Sequence, residues 1–149
     1  MSTVRIVYTR PDGHGSVICP VIDDMDRARQ AIPPDATNVH VCTVTDLPPT
    51  RRFRNAWRQA GAAPPHVDLP LARQRRLEEI REERAPRLLK ADNDLKITED
   101  RGDAALAARL RAHRQRLRDL PQTEQARLEA LATPEDLDRY IPAWPEDPA

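Results

Sequence analysis

At 149 residues the chain has room for one or two small domains, and with aromatic residues at 3% any core it builds is aliphatic and thin. Its 24 Lys and Arg offset 24 Asp and Glu, which removes the excess of positive charge on which nucleic-acid affinity leans. No run approaches the roughly eighteen apolar residues of a spanning helix, and the opening MSTVRIVYTR lacks a signal-peptide core, so nothing is expected to cross or target a membrane.

Residues 4–9, VRIVYT, and 16–22, SVICPVI, flank the turn-rich PDGHG of 11–15 and predict a β-hairpin with a loop of about five residues. Pro20 puts the second strand at an edge or ends it early. Met25, Ala28 and Ile32 share one helical face, which predicts a short helix over 25–32 stopped by Pro33 and Pro34. The alternating, β-branched VHVCTV of 39–44 reads as a third strand. RFRNAWR at 52–58 reads as a fourth, with Phe53, Asn55 and Trp57 on one face and Arg52, Arg54, Ala56 and Arg58 on the other. Cys19 and Cys42 both fall in these apolar runs and are expected to be buried free thiols, which suits a reducing cytosol.

The Pro-rich stretch 61–66 reads as a stiff linker into a helical hairpin. Its first run, about 68–95, has Asp68 as N-cap, Pro70 in the tolerant first turn, and Leu77, Ile80, Leu88, Ala91 and Leu95 at helical spacing. Arg84 falls on the apolar face and Pro86 lacks the amide a helix interior needs, so a kink or break is expected near 83–86. After a polar turn at 97–103, Asp103 caps a second helix that Pro121 should end. Along it Leu106, Leu110, His113, Leu117 and Leu120 recur at spacings of four, three, four and three, a short heptad seam that must be covered by the first helix, by a partner surface or by another copy. Residues 67–120 carry fourteen basic against eleven acidic side chains, whereas 121–149 carry two against seven. This acidic tail can fold onto the basic hairpin, dock on a basic partner or stay solvated. Residues 124–131 are weakly amphipathic, the Thr133-Pro134-Glu135-Asp136 signature starts a short helix through Tyr140, and Trp144 in the extended IPAWP segment needs a surface to cover it.

The sequence offers no chemistry that binds itself together. His14, His40, His66 and His113 form no i, i+4 pair, there is no CxxC, and Cys19, Cys42 and His40 read as core filler rather than metal ligands. His113 on a Leu seam reads as a histidine satisfied by a neighbour. No nucleophile is tied to a base, so neither enzyme activity nor a metal or cofactor is expected. The most site-like feature is the alternation of arginine and aromatic residues at 51–58. Arg52, Phe53, Arg54 and Trp57 would serve a single-strand or anion site, and the competing reading, an edge strand whose arginines block edge-to-edge pairing, is preferred.

The Arg-rich lead helix, followed by Arg114-Gln115, Leu117-Arg118-Asp119 and Pro121 and closed by Trp144-Pro145 after the Thr133-Pro134-Glu135 helix start, resembles the phage tail assembly chaperone-like proteins, small proteins of bacteriophage and prophage tail or tail-fibre regions. That group often has Trp and Tyr where this chain has Leu110 and His113. The front half, through VRIVYTRPDG at 4–13 and FRNAW at 53–57, is similar to the amino-terminal module of phage and prophage proteins with the same kind of tail. The resemblance implies a non-enzymatic protein of tail or tail-fibre assembly, or a structural piece of the finished virion, with phage tail proteins as partners and the host cytoplasm as its place of work.

The expected architecture is therefore α+β: a small ββαββ-like domain over 1–62, a linker and antiparallel helical hairpin over 63–120, and an acidic, Pro-rich tail with a short helix over 121–149. Partner contact is assigned to Leu106, Leu110, His113, Leu117 and Leu120 of the seam and to Trp144. A second copy of the chain is one candidate partner. A nucleic-acid-binding regulator working through Arg52, Phe53, Arg54 and Trp57 is the less favoured alternative.

Overall fold

The computed structural model describes residues 3–20, 24–61 and 63–148. It is α+β, a small antiparallel sheet region followed by two long helices packed as a hairpin. The chain falls into two compact units, one of Met1–Ala72 with Thr133–Asp138 and one of Arg73–Ala132 with Arg139–Ala149. The division lies inside the first long helix rather than at the linker, and the tail is shared between the units.

In the first unit, strands β1 (Val4–Thr9), β2 (Gly15–Ile18) and β3 (Thr37–Thr43) form an antiparallel sheet in the order β2-β1-β3. The five residues 10–14 close the first hairpin: Arg10 N donates to the His14 carbonyl (2.9 Å), the Asp12 carboxylate accepts from the His14 amide (3.0 Å), and Gly13 takes φ +80°, where an L side chain would be strained. Strand alternation then sorts the side chains. Val7, Val17 and Cys42 share the face that packs on Leu47, Trp57 and Val67, while Ile6 lies opposite Ile18 and Val41 on the other. The short helix α1 (Met25–Gln30) starts on an Asp24 cap and buries Ala28. It ends two residues sooner than its sequence suggests. β2 also ends early, at Ile18, which leaves Cys19 exposed, a correction to the pair of buried thiols, while Val21 and Ile22 of the expected strand lie outside the described residues. Cys42 is buried, and that burial pushes its thiol up from its ordinary range. β1 stands between β2 and β3, so Cys19 is separated by a strand from Cys42 and His40.

The expected fourth strand is replaced by a 3-10 turn, Arg54–Ala56, leading into the two-residue β4 (Trp57–Arg58), which pairs with β5 (His66–Val67) in a separate ribbon. Strict alternation would have carried Asn55 inward with Phe53 and Trp57. The tight turn, closed by Ala56 N to the Phe53 carbonyl (2.8 Å), instead buries Phe53, Ala56 and Trp57 and leaves Asn55 outside.

In the second unit, α2 (Leu69–Asp100, its first turn in the first unit) and α3 (Ala104–Glu129) meet at a turn where Gly102 takes φ +74°. Both expected N-caps are present, Asp68 accepting from Leu71 N and Asp103 from Leu106 N. Both prolines are misleading as stops. α2 runs unbroken through Pro86, and α3 runs through Pro121 and absorbs 124–129. A proline inside a helix removes one amide and crowds the carbonyl four residues before it. Pro121 leaves the Leu117 carbonyl without its helical donor, and the turn before the proline is tied across the hairpin, where Arg84 of α2 donates to the Arg118 carbonyl (2.9 Å). That contact accounts for an arginine on the apolar face of α2. The packed stripe of α3 continues as Leu110, His113, Leu117, Leu120, Glu124 and Leu128, facing Leu77, Ile80, Ala91 and Leu95 of α2. No described helix is long and apolar enough to cross a membrane.

Candidate functional site

The seam residues assigned to partner contact lie inside the hairpin. Leu110, His113, Leu117 and Leu120 are buried, and Leu106 is half-buried against the cluster of Leu95, Ala107 and Leu110. An apolar face already filled by its own neighbours has little left to gain from another protein. The seam is thus core, and this is the main revision to the sequence-based site. Its cause is that α2 supplies an apolar stripe of matching length.

The tail completes this unit. Tyr140 donates its hydroxyl to Oε2 of Glu124, and Arg127 holds the other carboxylate oxygen at 2.7 Å. Glu124 is 0% exposed, so these two bonds offset the cost of taking a carboxylate out of water. The buried Arg76 of α2 donates to the Tyr140 carbonyl (3.1 Å) while bonding Glu79 (3.2 Å) and Glu83 (3.1 Å). Further on, Arg87 lies over the Trp144 ring at 4.4 Å from its centroid, and Asp147 sits 3.3 Å from His113 Nε2 and 3.2 Å from Lys90 Nζ. The acidic tail folds onto the basic hairpin, and Trp144 and His113 each find their partner within the unit.

Between this tail and α3 lies an open cleft of about 710 Å³. Its wall carries Arg116 and Arg127 against Asp119, Glu124, Glu146 and Asp147, and of these Glu124 is already held by Arg127 and Asp147 by Lys90 and His113, so its charges are largely spent on the fold's own pairs. Its one hydroxyl, on Thr123, is spent on the Asp119 carbonyl (3.4 Å).

Burial pushes the Tyr140 phenol above its ordinary range, and the Glu124 carboxylate beside it adds to the shift. A raised pKa means the fold favours the protonated phenol. Its contribution to stability is complete below tyrosine's usual value of about 10 and is lost as pH rises through the folded value. An alkaline titration followed by tyrosinate absorbance should therefore resolve a late-ionising tyrosine, and Trp144 fluorescence should change in the same range. Tyr140→Phe should remove the late step, and the absence of any late-ionising tyrosine in the parent would refute the tail anchor.

The Arg/aromatic segment forms no open stacking platform. Phe53 and Trp57 are buried, Arg51 covers the Trp57 ring at 5.6 Å, and Arg52 bonds the Asp138 carbonyl (3.2 Å). Arg54 is exposed. Missed from the sequence was the Glu124, Arg127 and Tyr140 anchor. Its signal was available: Glu124 and Leu128 extend the seam from Leu117 and Leu120 at spacings of four, once Pro121 is not read as a terminus.

The chain matches no protein-family model, no curated protein and no solved structure.

Proposed function

We propose that this is a non-enzymatic bacteriophage protein that works by protein-protein contact in tail or tail-fibre assembly, in the cytoplasm of a bacterial host. The observation that carries the reading is the disposition of the hairpin's apolar side chains. Its inner seam is consumed by its own helix pair, while α2 leaves Leu89 and Ile97 exposed on one arc with Pro86 and Asn93. Two large aliphatic side chains held in water on a well-anchored helix suit a contact surface better than a reactive site. The similarity of 114–121 and 144–145 to tail assembly chaperone-like proteins supplies the context.

The test is genetic and structural. In a phage or prophage that encodes the protein, its deletion should give particles lacking complete tails or fibres by electron microscopy. The double variant Leu89→Glu, Ile97→Glu should fail to restore them while unfolding within about 0.5 kcal/mol of the parent, as surface changes do. Normal particles after deletion would overturn the reading. Mass spectrometry of purified particles divides its two forms: an amount matching a known tail protein marks a virion component, and absence marks an assembly chaperone.

A further inference from the structure

Among the described residues β3 is an edge strand, with β1 on one side only. The pairing with β1 fixes where its backbone groups point. Val44 N donates to the Thr3 carbonyl (2.8 Å), and the register Val4 with Thr43 and Ile6 with Val41 continues from it. Bonded and non-bonded pairs alternate in an antiparallel ladder, so Cys42 and His40 bond to β1 while Val41 turns both its amide and its carbonyl outward. The Val39 carbonyl, antiparallel to the His40 amide across their shared peptide, points outward as well. The open stretch is short and bounded. Gln59 Nε2 occupies the Asn38 carbonyl (2.8 Å) at one end, and the Asp46 carboxylate occupies the Thr43 amide (2.7 Å) at the other.

The side chains beside these groups are equally unguarded. Val39 and Val41 are 50% and 44% exposed on the same face of the sheet. In a chain of which 32% is charged, the segment Thr37–Thr43 holds no Asp, Glu, Lys or Arg. Edge strands are ordinarily blunted by charge, proline or a bulge; charge and proline are missing here, and the irregularity at 38–39, where Asn38 takes φ 52°, bounds the regular stretch from His40 onward at one end only.

We infer that the open edge of β3 pairs with the same edge of a second copy, antiparallel about a two-fold axis through His40. In that register Val41 N–H meets the Val39 carbonyl of the second copy, and the symmetric bond repeats it. Val39 and Val41 lie side by side across the junction, and His40 faces its own mate in a non-bonded pair. A second copy is the occupant the strand describes because the segment is its own complement. Each outward donor finds an outward acceptor, and with no Asp, Glu, Lys or Arg in the stretch, reversing it on itself opposes no fixed like charges. The two short strands then join their sheets into one of six strands.

Sedimentation and light scattering over a concentration series of the full chain test this, with the mass expected to climb toward twice that of the monomer. Val39→Lys with Val41→Lys places lysine against lysine twice and should weaken dimerisation by at least ~10-fold. In a Cys19→Ser background, His40→Cys should cross-link to its mate under mild oxidation, since directly opposed non-bonded residues have the Cα separation a disulfide needs. Thr43→Cys would face Thr37 of the second copy, with its own mate about 20 Å away, and should stay reduced. A chain that remains monomeric up to about 1 mM overturns the inference. So does a dimer unmoved by the lysines, or one in which the two cysteine variants cross-link equally. Should the lysine variant fail to fold, the cysteine pair still decides.

Discussion

Leu117→Ala is expected to cost about 3 kcal/mol of folding stability, and Leu110→Asp combined with Leu117→Asp to unfold the hairpin outright. Leu117 is among the most buried side chains of the molecule, in the middle of the stripe that joins α3 to α2. Its truncation forfeits the transfer energy of three carbons and leaves a cavity between two helices held elsewhere by the Arg84 to Arg118 bond and, through the tail, by Arg76 to Tyr140 and Tyr140 to Glu124. Two carboxylates on that stripe add the cost of taking charge out of water. Against a total of about 5–15 kcal/mol for an ordinary domain the sum is decisive. Urea unfolding followed by the helical circular-dichroism signal measures it. A seam kept for a partner would behave differently: the isolated chain would unfold as the parent does and lose only a binding event. Parent-like unfolding of the double variant would remove the seam from the core.

What the sequence made legible was whatever depends on near neighbours. The caps at Asp68 and Asp103, a five-residue hairpin loop expected at 11–15 and found at 10–14, and the Leu106 to Leu120 period are local, and each is present in the fold. What it concealed depends on groups far apart in the chain. Pro121 reads as a terminus because its local cost is real, but the tie that holds this part of α3 to α2 is long-range, since Arg84 lies 34 residues from the Arg118 carbonyl it bonds. Glu124 reads as a surface carboxylate because its partner hydroxyl is 16 residues on, beyond a turn and another helix. The segment 52–58 failed for a different reason. Alternation and a 3-10 turn both put Phe53 and Trp57 inside, and they differ only in the fate of Asn55 and Ala56, on which periodicity over seven residues is silent. The seam itself was found, but whether a seam is filled from within or from without is a question of what else lies nearby, and period alone does not answer it.

Trp57→Ala should remove about 3–5 kcal/mol from the first unit, the range for truncating a large buried aromatic. Trp57 is 0% exposed and joins Val7, Cys42 and Leu47 in the core beneath the sheet. The surrounding backbone is fitted to it: a Cβ added at Gly15 would stand 3.3 Å from the Trp57 Cβ, which is why the β2 strand begins on a glycine there. A unit of roughly 80 residues has about 4–12 kcal/mol in total, so the loss is a large share of it. Trp57→Phe is the instructive intermediate. It sheds volume, but it also removes an indole N–H that is buried without a hydrogen-bond partner among the described residues, so its cost should be well under that of alanine. Denaturant midpoints of the three proteins, with retention titrations on single-stranded oligonucleotides at two salt concentrations, separate core from platform. If the 51–58 segment were a stacking surface, Trp57→Ala would weaken oligonucleotide binding and leave the midpoint within about 0.5 kcal/mol of the parent. With the ring enclosed and Arg51 laid over it, the midpoint should fall, and the ordering parent, phenylalanine, alanine should follow buried volume.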